Sequence, residues 1–237
     1  TLLEDALRRK RSACMLGTGA MTDPYIPLES ELGYVRGALS LALRYGFGFT
    51  LQTKSDRVLR DIDLLQAINE RTKCVVQMTL TTYDEALCRK LEPNVCTTSA
   101  RFAALQKLRE AGIPTVVWLS PILPFINDTE ENILGILRYC AEAKVKGVIC
   151  FGMGVTLREG NREYFFAQLD RVFPGMKEQY IRTFGLSYEN TSPRNAELMR
   201  LYHAFCEEHG MMHDNAEIFT YLRTFTDKTD KTQLSLF

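Results

Sequence analysis

The sequence predicts an α/β fold in which helices cover both faces of a parallel sheet. Five short apolar runs alternate with segments of helical periodicity, and the runs are apolar throughout rather than alternating between apolar and polar residues. Strands that are buried on both faces have this continuous apolar character, and the helices between them supply the crossovers that parallel strands need. A complete eight-stranded barrel takes about 250 residues. Five strands therefore indicate either an incomplete barrel or a doubly wound sheet.

The first 80 residues supply three strands. Periodicity near 3.6 residues predicts helices at 2–11, 33–45 and 61–71. The apolar runs that follow them predict strands at 13–17, 48–52 and 74–80. Gly46 directly follows the second helix, and glycine favours the left-handed conformation that ends many helices. Because the sequence begins within a helix at Thr1, we expect one further buried strand to precede it.

The middle of the chain completes the predicted sheet. Helices are expected at 99–111, which Gly112 ends, and at 130–143, and strands are expected at 114–119 and 147–151. Helical periodicity then dominates to about residue 222. We therefore predict three parts, namely a barrel core at 1–160, a helical extension at 161–225 and a polar tail at 226–237.

Charge and cysteine usage narrow the class of protein. Lys and Arg total 29, and Asp and Glu also total 29, so the overall charge indicates neither a nucleic acid partner nor a membrane partner. No apolar stretch is long enough to span a bilayer, and we expect no signal peptide. The seven cysteines include no CxxC pair, which favours a reducing cytoplasm over a disulfide framework.

Polar residues and glycines follow every predicted strand, where parallel α/β proteins form their sites. Any one cluster could be explained by helix capping or a tight turn. Five clusters on one face favour a pocket, and its ammonium, hydroxyl, amide and carboxylate groups suit a zwitterionic or nucleoside-like ligand better than a metal. The clusters lie at 17–25, 52–56, 79–84, 120–128 and 152–158.

Taken in order, these segments resemble the radical S-adenosylmethionine (SAM) proteins related to spore photoproduct lyase. The resemblance covers residues 13–160, and the joint order of its segments is specific although each segment alone is weak. It implies a (β/α)6 partial barrel whose second to sixth strands are present here. The matching segments are 17–25, Gln52-Thr53-Lys54-Ser55, Arg89-Lys90-Leu91-Glu92-Pro93, Ala111-Gly112-Ile113-Pro114 and Pro121-Ile122-Leu123-Pro124.

The resemblance also implies cofactors and a reaction. SAM would lie across the strand ends and chelate one iron of a 4Fe–4S cluster. An electron from the cluster would cleave SAM reductively, and the resulting 5′-deoxyadenosyl radical would take hydrogen from a substrate. The substrate is left open, with a DNA lesion as one candidate.

Site residues follow from the resemblance by position. The segment that contains Thr18, Thr22 and Asp23 would meet the amino group of SAM, and Lys54 would pair with its carboxylate in a charge-assisted hydrogen bond. The remaining positions are Thr79 and Thr81, which would lie near the ribose, and Arg101, which is either structural or a SAM contact.

The sequence departs from the family pattern at two places. The CxxxCxxC motif that anchors the cluster does not occur, so we expect this chain alone to be inactive. A missing front segment explains the absence most economically, and a cluster-free homologue is the alternative. Ala20 stands where spore photoproduct lyase has a hydrogen-donating cysteine, and Cys14 lies earlier, so repair of spore photoproduct itself is not expected.

The C-terminal part suggests a different partner. The last five residues, Gln233-Leu234-Ser235-Leu236-Phe237, resemble the bacterial sliding-clamp-binding motif, in which glutamine fixes the register and Leu-Phe enter an apolar pocket. This would point to DNA repair, and the alternative is that Leu234, Leu236 and Phe237 fold back on the protein. His203, Cys206, His209 and His213 suggest zinc only weakly, because Gly210 is expected to end the helix between the last two histidines.

Two other functions compete with a radical SAM enzyme. One is a non-catalytic module that binds the sliding clamp through the tail. The other is an aldolase-like barrel in which Lys54 is the nucleophile.

Overall fold

A computed structural model of the protein describes residues 1–229 and has a five-stranded parallel sheet. The strands are β1 (Met15–Thr18), β2 (Gly48–Thr53), β3 (Cys74–Thr79), β4 (Thr115–Trp118) and β5 (Gly147–Ile149), and their order in the sheet is the order of the sequence. Every crossover therefore moves one strand along in the same direction, as in a barrel, whereas a doubly wound sheet reverses direction. The predicted incomplete barrel of parallel strands is confirmed.

Seven helices surround this sheet. They are α1 (Leu2–Arg9), α2 (Glu29–Leu32), α3 (Tyr34–Tyr45), α4 (Ile62–Arg71), α5 (Glu85–Leu91), α6 (Thr98–Glu110) and α7 (Glu130–Glu142), and a 3₁₀ turn at Asp56–Asp61 runs into α4. The predicted helix ends are confirmed at Gly46 and Gly112, which both have φ of 71°. The side chain of Thr129 caps α7 by accepting a hydrogen bond from the Asn132 backbone. Asn127 and Asp128, which precede Thr129, make other contacts, with the Thr81 carbonyl oxygen and the Ser192 hydroxyl respectively.

The two faces of the sheet are buried against different elements, because successive side chains of a strand point to opposite faces. Alternate residues of β3, such as Cys74, Val76 and Met78, belong to the large apolar core that α3, α4, α6 and α7 share with the sheet. The intervening Val75 belongs to a second cluster with Val116, Ile149, Ile218 and Leu222. Burial of both faces, as the apolar runs predicted, is therefore confirmed.

Four helices follow the sheet, namely α8 (Asn161–Val172), α9 (Met176–Phe184), α10 (Asn195–Glu208) and α11 (Asn215–Arg223). Helix α10 packs beside α7, and α11 lies on the inner face of the barrel through Ile218 and Leu222. Helix α10 ends at Glu208, and Gly210 has φ of 62°, which confirms the predicted stop.

Two features of this region were not predicted. Strands β6 (Gly154–Thr156) and β7 (Glu189–Thr191) form a small antiparallel sheet where only helical periodicity was expected. Met212 also pairs with Gly147, so the free side of β5 carries one extra bridge. Within residues 1–229, no helix combines the length and the apolar character needed to cross a membrane.

Candidate functional site

The Asp23 carboxylate links the loop after β1 to the end of β2 through hydrogen bonds. Its Oδ1 accepts hydrogen bonds from Thr53 Oγ1 at 2.7 Å and from the Tyr25 backbone N–H at 2.8 Å, and its Oδ2 accepts one from the Lys54 backbone N–H at 2.7 Å. Three protein donors thus share the carboxylate. Asp23, which the resemblance assigned to the segment near the SAM amino group, holds the backbone from which Lys54 projects.

Gly19 brings the same loop into direct contact with β2. Its φ is +97°, and a Cβ atom at this position would lie 2.1 Å from the Gln52 carbonyl oxygen. Beside this contact is a cleft of 180 Å³, which Thr22, Gln52, Lys54 and Thr79 help to line. Thr22 thus reaches the cleft, whereas Thr18 is an exposed residue at the end of β1 and does not line it.

Lys54, Glu92 and Arg101 form a chain of charges at the strand ends. The Lys54 ammonium is paired with Glu92 Oε1, and Arg101 Nη1 lies 2.8 Å from Glu92 Oε2. The Arg101 side chain is completely buried, and its Nη1 donates a 3.0 Å hydrogen bond to the Thr79 carbonyl oxygen. Burial acts to raise the pKa of Glu92, but the charges of Lys54 and Arg101 hold that pKa below its ordinary value.

A larger cavity of 550 Å³ lies between the strand ends and α8. Lys54, Thr81, Glu92 and Asn127 line it from the barrel, and Tyr164 and Phe165 line it from the helix. Asn127 Nδ2 donates a 2.9 Å hydrogen bond to the Thr81 carbonyl oxygen, so the loops after β3 and β4 are joined at this wall. The structure therefore brings Lys54 and Thr81 into one cavity, as expected.

A third cavity of 450 Å³ lies at the ends of β4 and β5. Pro121, Phe151, Met153 and Asn195 contribute to its lining, and Phe151 is 63% exposed. Asn195 fixes the loop after β5, because its Oδ1 accepts a 2.8 Å hydrogen bond from the Met153 backbone.

The three cavities adjoin along the carboxyl ends of the strands. Lys54 lines the first and the second cavity, and Pro121 lines the second and the third. We call the three neighbouring cavities together the strand-end groove and define it by Gln52, Lys54, Thr79, Thr81, Pro121 and Phe151. Its formation by four neighbouring strands is the convergence that the strand-end clusters predicted.

Glu92 and Asn127 are the main site residues that sequence reasoning did not assign. Glu92 lay within a segment that carried the resemblance, yet nothing in that segment indicated a partner for its carboxylate. The pairing with Lys54 joins residues 38 positions apart, so only the fold reveals it. Asn127 lay within the polar cluster at 120–128, and the structure shows that it bridges two strand-end loops.

The cysteines are placed as apolar core residues. Five of the seven are buried, and burial raises the pKa of Cys150 to about 11 and the pKa of Cys74 and of Cys206 to about 12. Among residues 1–229, no three His, Cys, Asp or Glu side chains come together in a way that could hold a metal ion. A cluster needs several thiolate ligands, so the residues present do not fit a 4Fe–4S cluster.

The predicted partner-binding residues Gln233, Leu234, Leu236 and Phe237 lie outside the described residues. Clamp binding therefore stays a prediction. His203 and Cys206 lie in α10, whereas His209 and His213 follow its end, and His209 Nδ1 contacts the Phe205 carbonyl oxygen at 2.9 Å. The aldolase-like alternative required Lys54 to act as a nucleophile. A nucleophilic lysine is activated by a hydrophobic pocket or a neighbouring cation, whereas the Lys54 ammonium is paired with the Glu92 carboxylate.

Sequence comparison finds relatives but no matching family model. The chain is 30% identical over 182 residues to the uncharacterized protein Rv2578c of Mycobacterium tuberculosis, which is 76% of this chain and 52% of that protein. It is 31% identical over 145 residues to the uncharacterized protein ORF301 of Acidianus two-tailed virus, which is 60% of this chain and 46% of that protein. The chain thus spans about half the length of the curated relatives it matches.

Solved structures share the fold at low sequence identity. A mutant of spore photoproduct lyase matches with a TM-score of 0.60 and 12% identity, covering 88% of this chain and 62% of that one. A domain of pyruvate-formate lyase-activating enzyme from Bacteroides vulgatus matches with a TM-score of 0.52 and 11% identity, covering 83% of this chain and 95% of that one. The five-stranded sheet of this chain therefore has the fold of the radical SAM partial barrels.

Proposed function

We propose that this chain is the SAM-binding body of a radical SAM enzyme. The observation that carries the proposal is the strand-end groove, in which three adjoining cavities run across the ends of β2 to β5 with a paired ammonium and carboxylate at their junction. A groove of this kind suits a ligand that is zwitterionic at one end and ring-bearing at the other.

The Lys54–Glu92 pair suits the amino acid head of SAM. A bound carboxylate can take the place of Glu92 on Lys54, and a bound ammonium can take the place of Lys54 on Glu92, so both charges of the zwitterion find partners. Lys54 is 36% exposed and Glu92 is 13% exposed, which leaves one face of the pair open to a ligand. Arg101, behind Glu92, keeps the carboxylate ionised and oriented.

The rest of the groove suits the nucleoside. Thr79 and Thr81 lie where hydroxyl groups of a ribose could be bound, and the exposed ring of Phe151 offers an apolar surface for a base. Asp23 acts here as a positioning residue, because its three hydrogen bonds hold the loop after β1 and the backbone of Lys54.

In a complete radical SAM enzyme, an iron–sulfur cluster would supply the electron for radical chemistry with SAM. The residues described here do not fit the cluster, so we assign SAM binding to this chain and no part of the electron transfer. One of the similar structures is spore photoproduct lyase complexed with dinucleoside spore photoproduct. That likeness favours a DNA lesion as the substrate class, whereas Ala20 argues against spore photoproduct itself.

Calorimetric titration with SAM tests this proposal, with S-adenosylhomocysteine as a second ligand that retains the amino acid head. We expect both to bind, and we expect Lys54→Ala to weaken SAM by about tenfold or more, since hydrogen bonds to charged groups contribute about 1.5–3 kcal/mol. Lys107→Ala is the control, because Lys107 is an exposed residue of α6 away from the groove. Absence of binding, or equal weakening by both variants, would contradict the proposal.

A further inference from the structure

A fourth cavity lies at the amino ends of the strands, opposite the strand-end groove, and we call it the amino-end cavity. It measures 870 Å³ and surrounds the amino ends of three strands, with Lys73 directly before β3, Thr115 at the start of β4 and Lys146 directly before β5. Its remaining wall includes Tyr221 of α11. The six residues of β3 rise by about 3.3 Å each, so this cavity and the strand-end groove are separated by the full depth of the barrel, roughly 20 Å.

The lining of the amino-end cavity is strongly basic, although the charges of the whole chain balance. Glu217 is the one acidic side chain among its lining residues. None of the five cations forms an ion pair with a carboxylate within the described part of the chain, although paired charges occur elsewhere on the surface, as in Arg36–Asp63 and Lys177–Asp170. The five cations are Lys73, Arg109, Lys144, Lys146 and Lys228.

Neutral oxygens hold three of these cations in place. Lys73 Nζ donates hydrogen bonds to the carbonyl oxygens of Tyr221 and, at 3.0 Å, Thr224. Arg109 Nη1 donates a 2.8 Å hydrogen bond to a carbonyl oxygen of α7, and the Lys228 ammonium contacts a carbonyl oxygen of α4. Carbonyl oxygens orient a cation without neutralising it, so the positive charge of the cavity is retained.

The positive charges of the amino-end cavity repel one another, and no carboxylate within residues 1–229 forms an ion pair with them. Burial lowers the pKa of Lys73, and the neighbouring charge of Lys228 lowers it further. Lys144 and Lys146 are exposed and make no side-chain hydrogen bond or ion pair within residues 1–229, so they add to the positive field without contributing to packing. An anion in the cavity would relieve this repulsion.

We infer that the amino-end cavity binds a phosphate-bearing ligand. A phosphate group carries more charge than a carboxylate and accepts several hydrogen bonds at once, which suits a site with five cations, and lysine is a common phosphate ligand in proteins. The volume exceeds what a single ion needs, and the apolar Ile113, Pro114 and Met212 form one wall. Either a free nucleotide or the backbone of a nucleic acid strand could supply the phosphates.

Binding assays with the full chain test this inference. A fluorescein-labelled single-stranded DNA oligonucleotide is titrated by anisotropy over a range of salt concentrations, and inorganic pyrophosphate and ATP are titrated by calorimetry. The test variant is the double substitution Lys144→Gln with Lys146→Gln, which removes two exposed charges that support no contact in the fold. The control variant, Lys107→Gln with Arg182→Gln, removes the same charge from exposed positions of α6 and α9.

We expect the test variant to bind the ligand more weakly, on the order of tenfold. On single-stranded DNA, the slope of log affinity against log salt should become smaller in magnitude by about 1.4. The control variant is expected to stay close to the wild-type chain. Binding of the oligonucleotide with weak competition by pyrophosphate identifies a nucleic acid backbone, and binding of pyrophosphate or ATP alone identifies a free phosphate compound. If none of the three probes binds, or if both variants weaken binding equally, the inference is wrong.

Discussion

Gly19 lies against Gln52 so closely that a Cβ atom on Gly19 would stand 2.1 Å from the Gln52 carbonyl oxygen. With φ at +97°, Gly19 also has a backbone conformation that other residues rarely adopt. The contact therefore joins the loop after β1 to the end of β2 at a point where a side chain has no room. One wall of the strand-end groove depends on it.

Replacing Gly19 with Ala should destabilise the protein by about 1–3 kcal/mol, because it adds backbone strain and a steric clash at the same position. Urea unfolding followed by circular dichroism measures this change. Gly37→Ala is the matched control, since Gly37 lies within α3 with open space around it, and there alanine should stabilise the helix by up to about 1 kcal/mol. Equal effects of the two substitutions would show that the Gly19–Gln52 contact is unimportant.

Arg101→Met should destabilise the protein by about 3 kcal/mol or more, because removing one partner of a buried ion pair leaves the other charge uncompensated. The double variant with Glu92→Gln should recover part of this loss. A double-mutant cycle in urea gives the coupling energy directly. A coupling energy near zero would mean that Lys54 alone neutralises Glu92.

Glu92 should make stability depend on pH in the acidic range. Its pKa is lower in the folded protein than the ordinary value of 4.5, so the stability it contributes is fully present above that value. The contribution is lost as the pH falls through the folded pKa, because the unfolded chain then binds more protons than the native one. Unfolding curves of the Glu92→Gln variant should therefore show a smaller loss of stability on acidification. An unchanged pH dependence would rule out this role of Glu92.

Thiol reactivity should separate the cysteines into two groups. Cys14 and Cys96 are half-buried, and burial raises the pKa of Cys96, whereas the other five cysteines are buried and shielded from a reagent. We expect Ellman's reagent to react with two thiols in the native chain and with all seven after denaturation. Cys14→Ser and Cys96→Ser should each remove one native thiol. Rapid reaction of more than two would show that the core around Cys74 and Cys140 opens readily.

The tail prediction needs its own test. Deletion of Gln233–Phe237 should abolish a complex with a purified bacterial sliding clamp, measured by surface plasmon resonance. A variant with Leu236→Ala and Phe237→Ala should lose the complex as well, because those side chains are the ones expected to enter an apolar pocket. Unchanged binding by either variant would refute the motif.

The order of the five parallel strands and of the longer helices between them could be predicted because it depends on local patterns, whereas the short helices α2 and α5 were not predicted. Continuous apolar runs mark buried parallel strands, and Gly46, Gly112 and Gly210 end helices at the expected positions. The gathering of Lys54, Thr79 and Thr81 at one edge also follows, since the carboxyl ends of parallel strands face the same way. These inferences need no knowledge of which distant residues touch.

Contacts between distant residues could not be predicted in this way. Strands β6 and β7 are three residues each and are separated by more than thirty positions, so neither has a period that can be recognised. The Lys54–Glu92 pair and the Asn127–Thr81 bridge are also products of the fold. The amphipathic pattern of 215–223 indicates a helix but does not specify that its apolar side covers the inner face of the barrel.

The position of α11 has a consequence for how the protein is made. Ile218 and Leu222 cover Val75, Val116 and Ile149, so contacts that complete the barrel join residues that are 69 to 147 positions apart. During synthesis Val75, Val116 and Ile149 therefore stay uncovered on the inner face of the sheet until α11 has left the ribosome. An exposed apolar surface of this kind is the condition under which chaperones bind and unfinished chains aggregate.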